Sequence, residues 1–176
     1  MVLMTTMPRL FLFLCERGRA NLLGFLACAG LMGYALYAQF FLHLLPCLLC
    51  IFQRIAVLAL GLLFLAAALH RPKAWGAKVY GALQFLAAAG GAVVAMRHIY
   101  VQHLPEDLSP PCGPGFGYLF SHLPFGKFLA QVFTGSADCS IVTWTLLGMT
   151  MPEWLLIWFV VLGIGGLWVN WKRSSH

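Results

Sequence analysis

The chain has 176 residues, of which 61% are hydrophobic and 9% charged. A soluble domain of this length cannot bury that much apolar side chain, so the lipid bilayer has to serve as its solvent. The net charge of +6 does not read as a nucleic-acid footprint, because the basic residues are spread by membrane topology rather than gathered into one patch.

Residues 1–20 form a short basic tail whose apolar patch, 10–14, suits the membrane interface. The first span is expected over 21–42. Phe25-Leu26-Ala27-Cys28 has the look of a lipoprotein cleavage site, but the apolar run before Cys28 is short for a signal segment and continues well past it. It is therefore read as an uncleaved helix. A short outer connection, 43–50, leads to a second span at 51–69. The inner connection 70–78 contains His70-Arg71-Pro72-Lys73, which stops that helix. The third span, 79–96, carries Gly81, Gln84, Gly90 and Gly91, and its small residues suit close helix–helix contact.

Residues 97–153 form the one sizeable loop, rich in Pro and Gly at its start. Residues 119–133 then turn apolar at helical spacing, as a short helix lying on the membrane would, interrupted by Pro124 and Gly126. Met151-Pro152-Glu153-Trp154 opens the fourth span, 154–170, with a proline for the first turn, a glutamate for the helix dipole and a tryptophan for the interface. Residues 171–176 are a second tail. The expected fold is one domain, an all-α integral membrane protein. It is a four-transmembrane-helix bundle whose long outer loop carries a short interfacial helix.

Eight of the eleven basic residues (Arg9, Arg17, Arg19, Arg71, Lys73, Lys78, Lys172 and Arg173) fall on one side of these spans. Four of the five acidic residues (Glu106, Asp107, Asp138 and Glu153) fall on the other. The positive-inside rule puts both termini in the cytoplasm and the long loop outside.

Six cysteines are present. Cys15 and Cys28 read as reduced thiols or small apolar filler. Cys47, Cys50, Cys112 and Cys139 face the outer compartment, which is oxidising in a bacterium. Cys112 and Cys139 fit a structural staple, because a disulfide closing a loop of that size stabilises by about 3 kcal/mol. Cys47 and Cys50 fit one poorly: closing so short a loop gains little entropy, and helix geometry strains the bond. Short, strained disulfides tend to be the labile, catalytic ones.

Arg54 lies four residues beyond Cys50 on the same helix face. A helix N-terminus and a guanidinium both favour thiolate over thiol. Snorkelling to the interface is the alternative role for Arg54, but its alignment with Cys50 suits a functional one better. A thiolate–disulfide centre also needs an electron acceptor, and the sequence has neither a Gly-rich nucleotide loop nor a haem-attachment motif. A lipid-soluble quinone reaches the second span from the bilayer, with Arg54 placed to stabilise its developing negative charge. His98 fits a proton donor or second quinone contact, and equally an ordinary interfacial histidine. His43, His103 and His122 read as loop polar residues. No metal site is expected, because the Cys/His spacings match no standard zinc pattern.

The chain closely resembles the disulfide bond formation protein B (DsbB) family. The resemblance is carried by residues 46–54 (Pro46-Cys47-Leu48-Leu49-Cys50-Ile51-Phe52-Gln53-Arg54), by the loop cysteines Cys112 and Cys139 with Ser136-Ala137-Asp138 ahead of Trp144, and by residues 147–155 (Leu147-Gly148-Met149-Thr150-Met151-Pro152-Glu153-Trp154-Leu155). It departs from the family at Gln53, where well-known members carry an acidic residue. The resemblance implies a bacterial inner-membrane enzyme that reoxidises a periplasmic thioredoxin-like DsbA-type partner and passes the electrons to ubiquinone or menaquinone.

By the same resemblance, Cys112 forms the mixed disulfide with the partner and Cys139 exchanges with Cys47. Cys50 is the thiolate that meets the quinone, Arg54 polarises the quinone and His98 assists. Such a partner is a strong oxidant, at about −120 mV, so a quinone pool is needed to draw its electrons off. Vitamin K epoxide reductase-like oxidases share the core and acceptor class, but there the loop pair precedes the helix pair, the reverse of the order here. The reading from another class is a non-enzymatic membrane protein with a structural loop disulfide.

Overall fold

A computed structural model describes residues 17–44, 46–105, 121, 122, 124, 126, 127, 130, 139 and 145–172. Four long helices dominate it: α1 (Arg17–Phe40), α2 (Leu48–His70), α3 (Ala74–Gln102) and α4 (Met151–Lys172). Their lengths of 24, 23, 29 and 22 residues each exceed the ~20 residues needed to cross a hydrocarbon core of about 30 Å. All four are apolar enough to span a membrane. Each helix begins ahead of the apolar run expected from sequence, because helical hydrogen bonding does not stop where the lipid does. α1, for example, begins at Arg17 and α3 runs on to Gln102.

The local stops have clear causes. α2 starts at Leu48, with Cys47 as its N-cap in an extended conformation (φ −69°, ψ 171°). It ends where Arg71 turns left-handed (φ 44°) and donates its backbone N–H to Ala67, with Pro72 barring further helix. A feature with no counterpart in the sequence reading precedes α4. It is a two-stranded antiparallel hairpin of β1 (Thr145–Leu146) and β2 (Met149–Thr150). Its two-residue turn, Leu147-Gly148, has positive φ at both positions (54° and 79°), the combination that matches the twist of paired strands. Thr150 then caps α4, with the Glu153 carboxylate accepting its backbone N–H as in a capping box. The Thr150 hydroxyl donates to Gln102 of α3 at 3.1 Å.

Of the expected interfacial segment 119–133, Ser121, His122, Gly126, Lys127 and Ala130 are helical and Pro124 is not; the other positions lie outside the described residues.

The bundle is inside-out relative to a soluble protein. Leu22, Leu26, Leu62, Leu69 and Leu86 point outward, while Gly24, Ala38, Ala67, Ala88 and Ala95 are buried. Lipid solvates large apolar side chains as well as a core would, so many can face outward, while small residues inside bring backbones together. Neighbours in sequence pack antiparallel, and α3 packs most extensively on α4. One tight contact between them is at Gly91, where an added Cβ would lie 2.5 Å from the Phe159 ring. Phe159 belongs to the central apolar layer with Val57, Leu60, Phe64 and Leu162. Contact is sparse between α1 and α4. There an apolar cleft of about 340 Å³ opens, lined by Gly24, Ala27, Phe64, Trp158 and Gly165 among others.

Candidate redox site at the N-terminus of α2

The N-terminus of α2 gathers the chemistry. Because Cys47 is the N-cap and Cys50 closes the first turn, a Cys-x-x-Cys here brings the two sulfurs to 3.0 Å. Cys47 donates its S–H to the Cys50 sulfur, and its own sulfur accepts the Cys50 backbone N–H at 3.4 Å. That N–H is one of the unsatisfied donors of a helix start, and an electron-rich sulfur suits it.

α3 supplies the third group. His98 is buried, and its Nε2 lies 3.7 Å from Cys47 Sγ. Its other ring nitrogen, Nδ1, is 3.4 Å from the Gln53 side-chain amide. Gln53 is itself buried one turn beyond Cys50. The imidazole is therefore held from both sides, with a sulfur on one edge and an amide on the other, and is placed to take or return the proton of a thiol. Cys47, Cys50 and His98 offer one ligand atom each, all within 4.8 Å of one another.

Cys139 is fully buried against Leu48, Leu49 and Val101, in the apolar cluster that Cys47 and Phe52 border. The loop cysteine and the helix pair thus share one end of the bundle. Cys112 and Cys15 lie outside the described residues.

Arg54 takes the opposite flank of α2. Its guanidinium donates to the Gln39 side chain and, at 3.0 Å, to the Ala35 carbonyl. Both acceptors belong to α1, so the charge near the membrane is tethered across a helix interface rather than snorkelling freely. The sulfur–imidazole group sits on the α3 side and the cation on the α1 side, with Cys50 on the helix between them. Sequence reasoning missed Gln39 and saw Gln53 only as a departure from a family pattern. Both carry a recognisable signal, an amide within an otherwise apolar span, where an unpaired polar group is costly.

Chemically, two sulfurs at this spacing can interconvert between dithiol and disulfide, releasing two electrons and two protons. Comparison with known proteins agrees. Residues 17–169 match the family model described as "Disulfide bond formation protein DsbB". The chain is 50% identical over 158 residues to Disulfide bond formation protein B of Xanthomonas euvesicatoria, covering 88% of this chain and 91% of the relative. It is 49% identical over 154 residues to the protein of that name from Methylococcus capsulatus (86% and 94%). The counterpart in Nitrosococcus oceani is 47% identical over 146 residues (83% and 86%). The chain belongs to the DsbB family of disulfide bond formation proteins.

Proposed function

We propose that this disulfide-forming oxidoreductase is a thiol:quinone oxidoreductase of the bacterial inner membrane. In this reading both termini are cytoplasmic and the redox loops periplasmic, as the basic residues at one end of the bundle favour. A reduced DsbA-type dithiol attacks the loop disulfide through Cys112. Cys139 then exchanges with Cys47, and the Cys47–Cys50 dithiol gives up two electrons and two protons to ubiquinone or menaquinone. The balance is one partner dithiol and one quinone converted to one partner disulfide and one quinol.

The observation that carries the reading is the Cys47–Cys50 pair at 3.0 Å, set at the N-terminus of a helix apolar enough to span the membrane. A structural staple has little to stabilise over so short a loop, whereas a lipid-soluble acceptor has direct access to this position. His98 is placed to move the proton of Cys47, and Arg54, held by Gln39, to stabilise negative charge on the acceptor oxygen.

The test is quinone reduction by the purified protein in detergent, with a reduced DsbA-type protein as donor. Loss of quinone absorbance that requires Cys50 is the expected result. If several donors and both quinone classes gave no reduction, the non-enzymatic reading would take its place.

A further inference from the structure

We propose that the reduced site is also a binding site for a thiophilic divalent cation of the Zn2+ type, held by Cys47, Cys50 and His98. The three ligand atoms already lie within 4.8 Å of one another. Two sulfurs bound at the usual Zn–S distance of ~2.3 Å in a tetrahedral site stand about 3.8 Å apart, so the observed 3.0 Å pair has only to open by under ~1 Å. The corresponding sulfur–nitrogen separation is about 3.6 Å, against 3.7 Å between Cys47 Sγ and His98 Nε2.

Further features suit a metal. A ligating histidine usually donates its second ring N–H to an acceptor, which fixes the tautomer. Gln53, at 3.4 Å from Nδ1, supplies that acceptor once its amide is turned to present Oε1, a choice set by the hydrogen-bond network. Charge balance also favours it. Two thiolates and a divalent cation sum to zero, the least costly charge state for a site with a buried histidine at the edge of an apolar bundle. Three protein ligands leave the fourth position for water, the pattern of an open zinc site. The linear Cys/His spacing gives no hint of this, because His98 arrives from another helix.

Binding releases a proton from each sulfur that still carries one and changes no oxidation state. With the metal bound, both sulfurs are held as ligands and cannot join to each other, so the cation reversibly blocks the reduced form. Only the reduced cysteine pair is required. The site therefore stands or falls independently of which donor and acceptor the enzyme uses.

The experiment is a titration of the full chain in detergent, reduced with a phosphine, using Co2+ as the spectroscopic probe and Zn2+ as competitor. No quinone or protein partner is present. The expected result is one Co2+ per chain with thiolate charge-transfer bands and tetrahedral ligand-field bands, displaced by Zn2+. Cys47→Ser and Cys50→Ser should each remove the bands. Gln53→Leu should weaken binding about ten-fold, and His98→Ala more than that. Cys28→Ser should leave the titration unchanged.

Wild-type protein oxidised before titration should take up no metal, which tests the site without any substitution. The site is refuted if the bands survive oxidation, if they follow Cys112 or Cys139 instead of Cys47, or if His98→Ala binds as tightly as wild type.

Discussion

Two buried polar clusters sit at opposite ends of this bundle, and they are built differently. At the end that carries the basic residues, Asn21, Gln84 and Asn170 join α1, α3 and α4. Gln84 Nε2 donates to Asn21 Oδ1 at 3.0 Å, Asn170 Nδ2 donates to Gln84 Oε1 at 3.0 Å, and Asn21 Nδ2 donates to Asn170 Oδ1 at 3.2 Å. Leftover capacity is spent on the helices' own carbonyls, Arg17 and Gly166. At the other end, Cys47, Cys50, Gln53 and His98 make longer contacts of 3.4–3.7 Å around the imidazole. The first cluster contains only groups that neither titrate nor change oxidation state. The second contains only one such group, Gln53. A buried polar cluster in a membrane bundle is thus glue when its hydrogen-bond accounts close among neutral amides. It is a site when its members can gain and lose protons and electrons.

That contrast can be broken by substitution, and the largest effect is expected at the sulfur end. Cys50→Ser should reduce quinone reduction to background while the detergent-purified protein keeps its helical content. Turnover persisting at the wild-type rate would remove the redox role. Arg54→Ala should lower kcat on the order of a hundred-fold, the usual cost of losing a charge that stabilises a reacting oxygen. Gln39→Leu, which removes only the side-chain tether seen in the structure, should produce a smaller drop in the same assay.

Between the clusters lies the apolar layer, and there the cost should appear as stability. Gly91→Ala forces a Cβ into the Phe159 ring and should destabilise by about 1–3 kcal/mol, read as a lowered midpoint of unfolding in mixed detergent. The smallest effect is expected at the amide end. Asn170→Leu leaves Gln84 and Asn21 short of a partner and should cost about 1–2 kcal/mol of stability with kcat preserved. A large loss of kcat in a still-folded Asn170→Leu protein would mean that the two ends are coupled and the division into glue and site is wrong.

The two ends also differed in how far they could be read beforehand. Cys47, Cys50 and Arg54 announced themselves, because a Cys-x-x-Cys and a charge stand out in apolar sequence and their i, i+3 and i+7 spacing is local. The stop at His70–Pro72 was equally legible, since proline acts on its immediate neighbours. Gln84 stands in sequence as one polar residue in an apolar span, and Asn21 and Asn170 as the ends of the first and fourth spans. Their pairing spans 149 residues in the case of Asn21 and Asn170, and no local pattern encodes it. The hairpin at residues 145–150 escaped because two strands of two residues leave no periodicity to detect.

Composition and hydrophobic run length by themselves determined the membrane class and the four helices, and the ordered cysteine motifs determined the family. These are properties of short windows, governed by 1.5 Å of rise per residue and the thickness of a bilayer. Which groups meet across helices was decided only in the tertiary structure. His98 reaches Cys47, Gln53 becomes the partner of His98, and Arg54 is drawn to Gln39 instead of standing free. Those meetings depend on the rotation and register of each helix against its neighbours. Both are set by small-residue contacts such as Gly91 on Phe159 and by the amide ties at the far end, and such long-range packing leaves no trace in a local stretch of sequence.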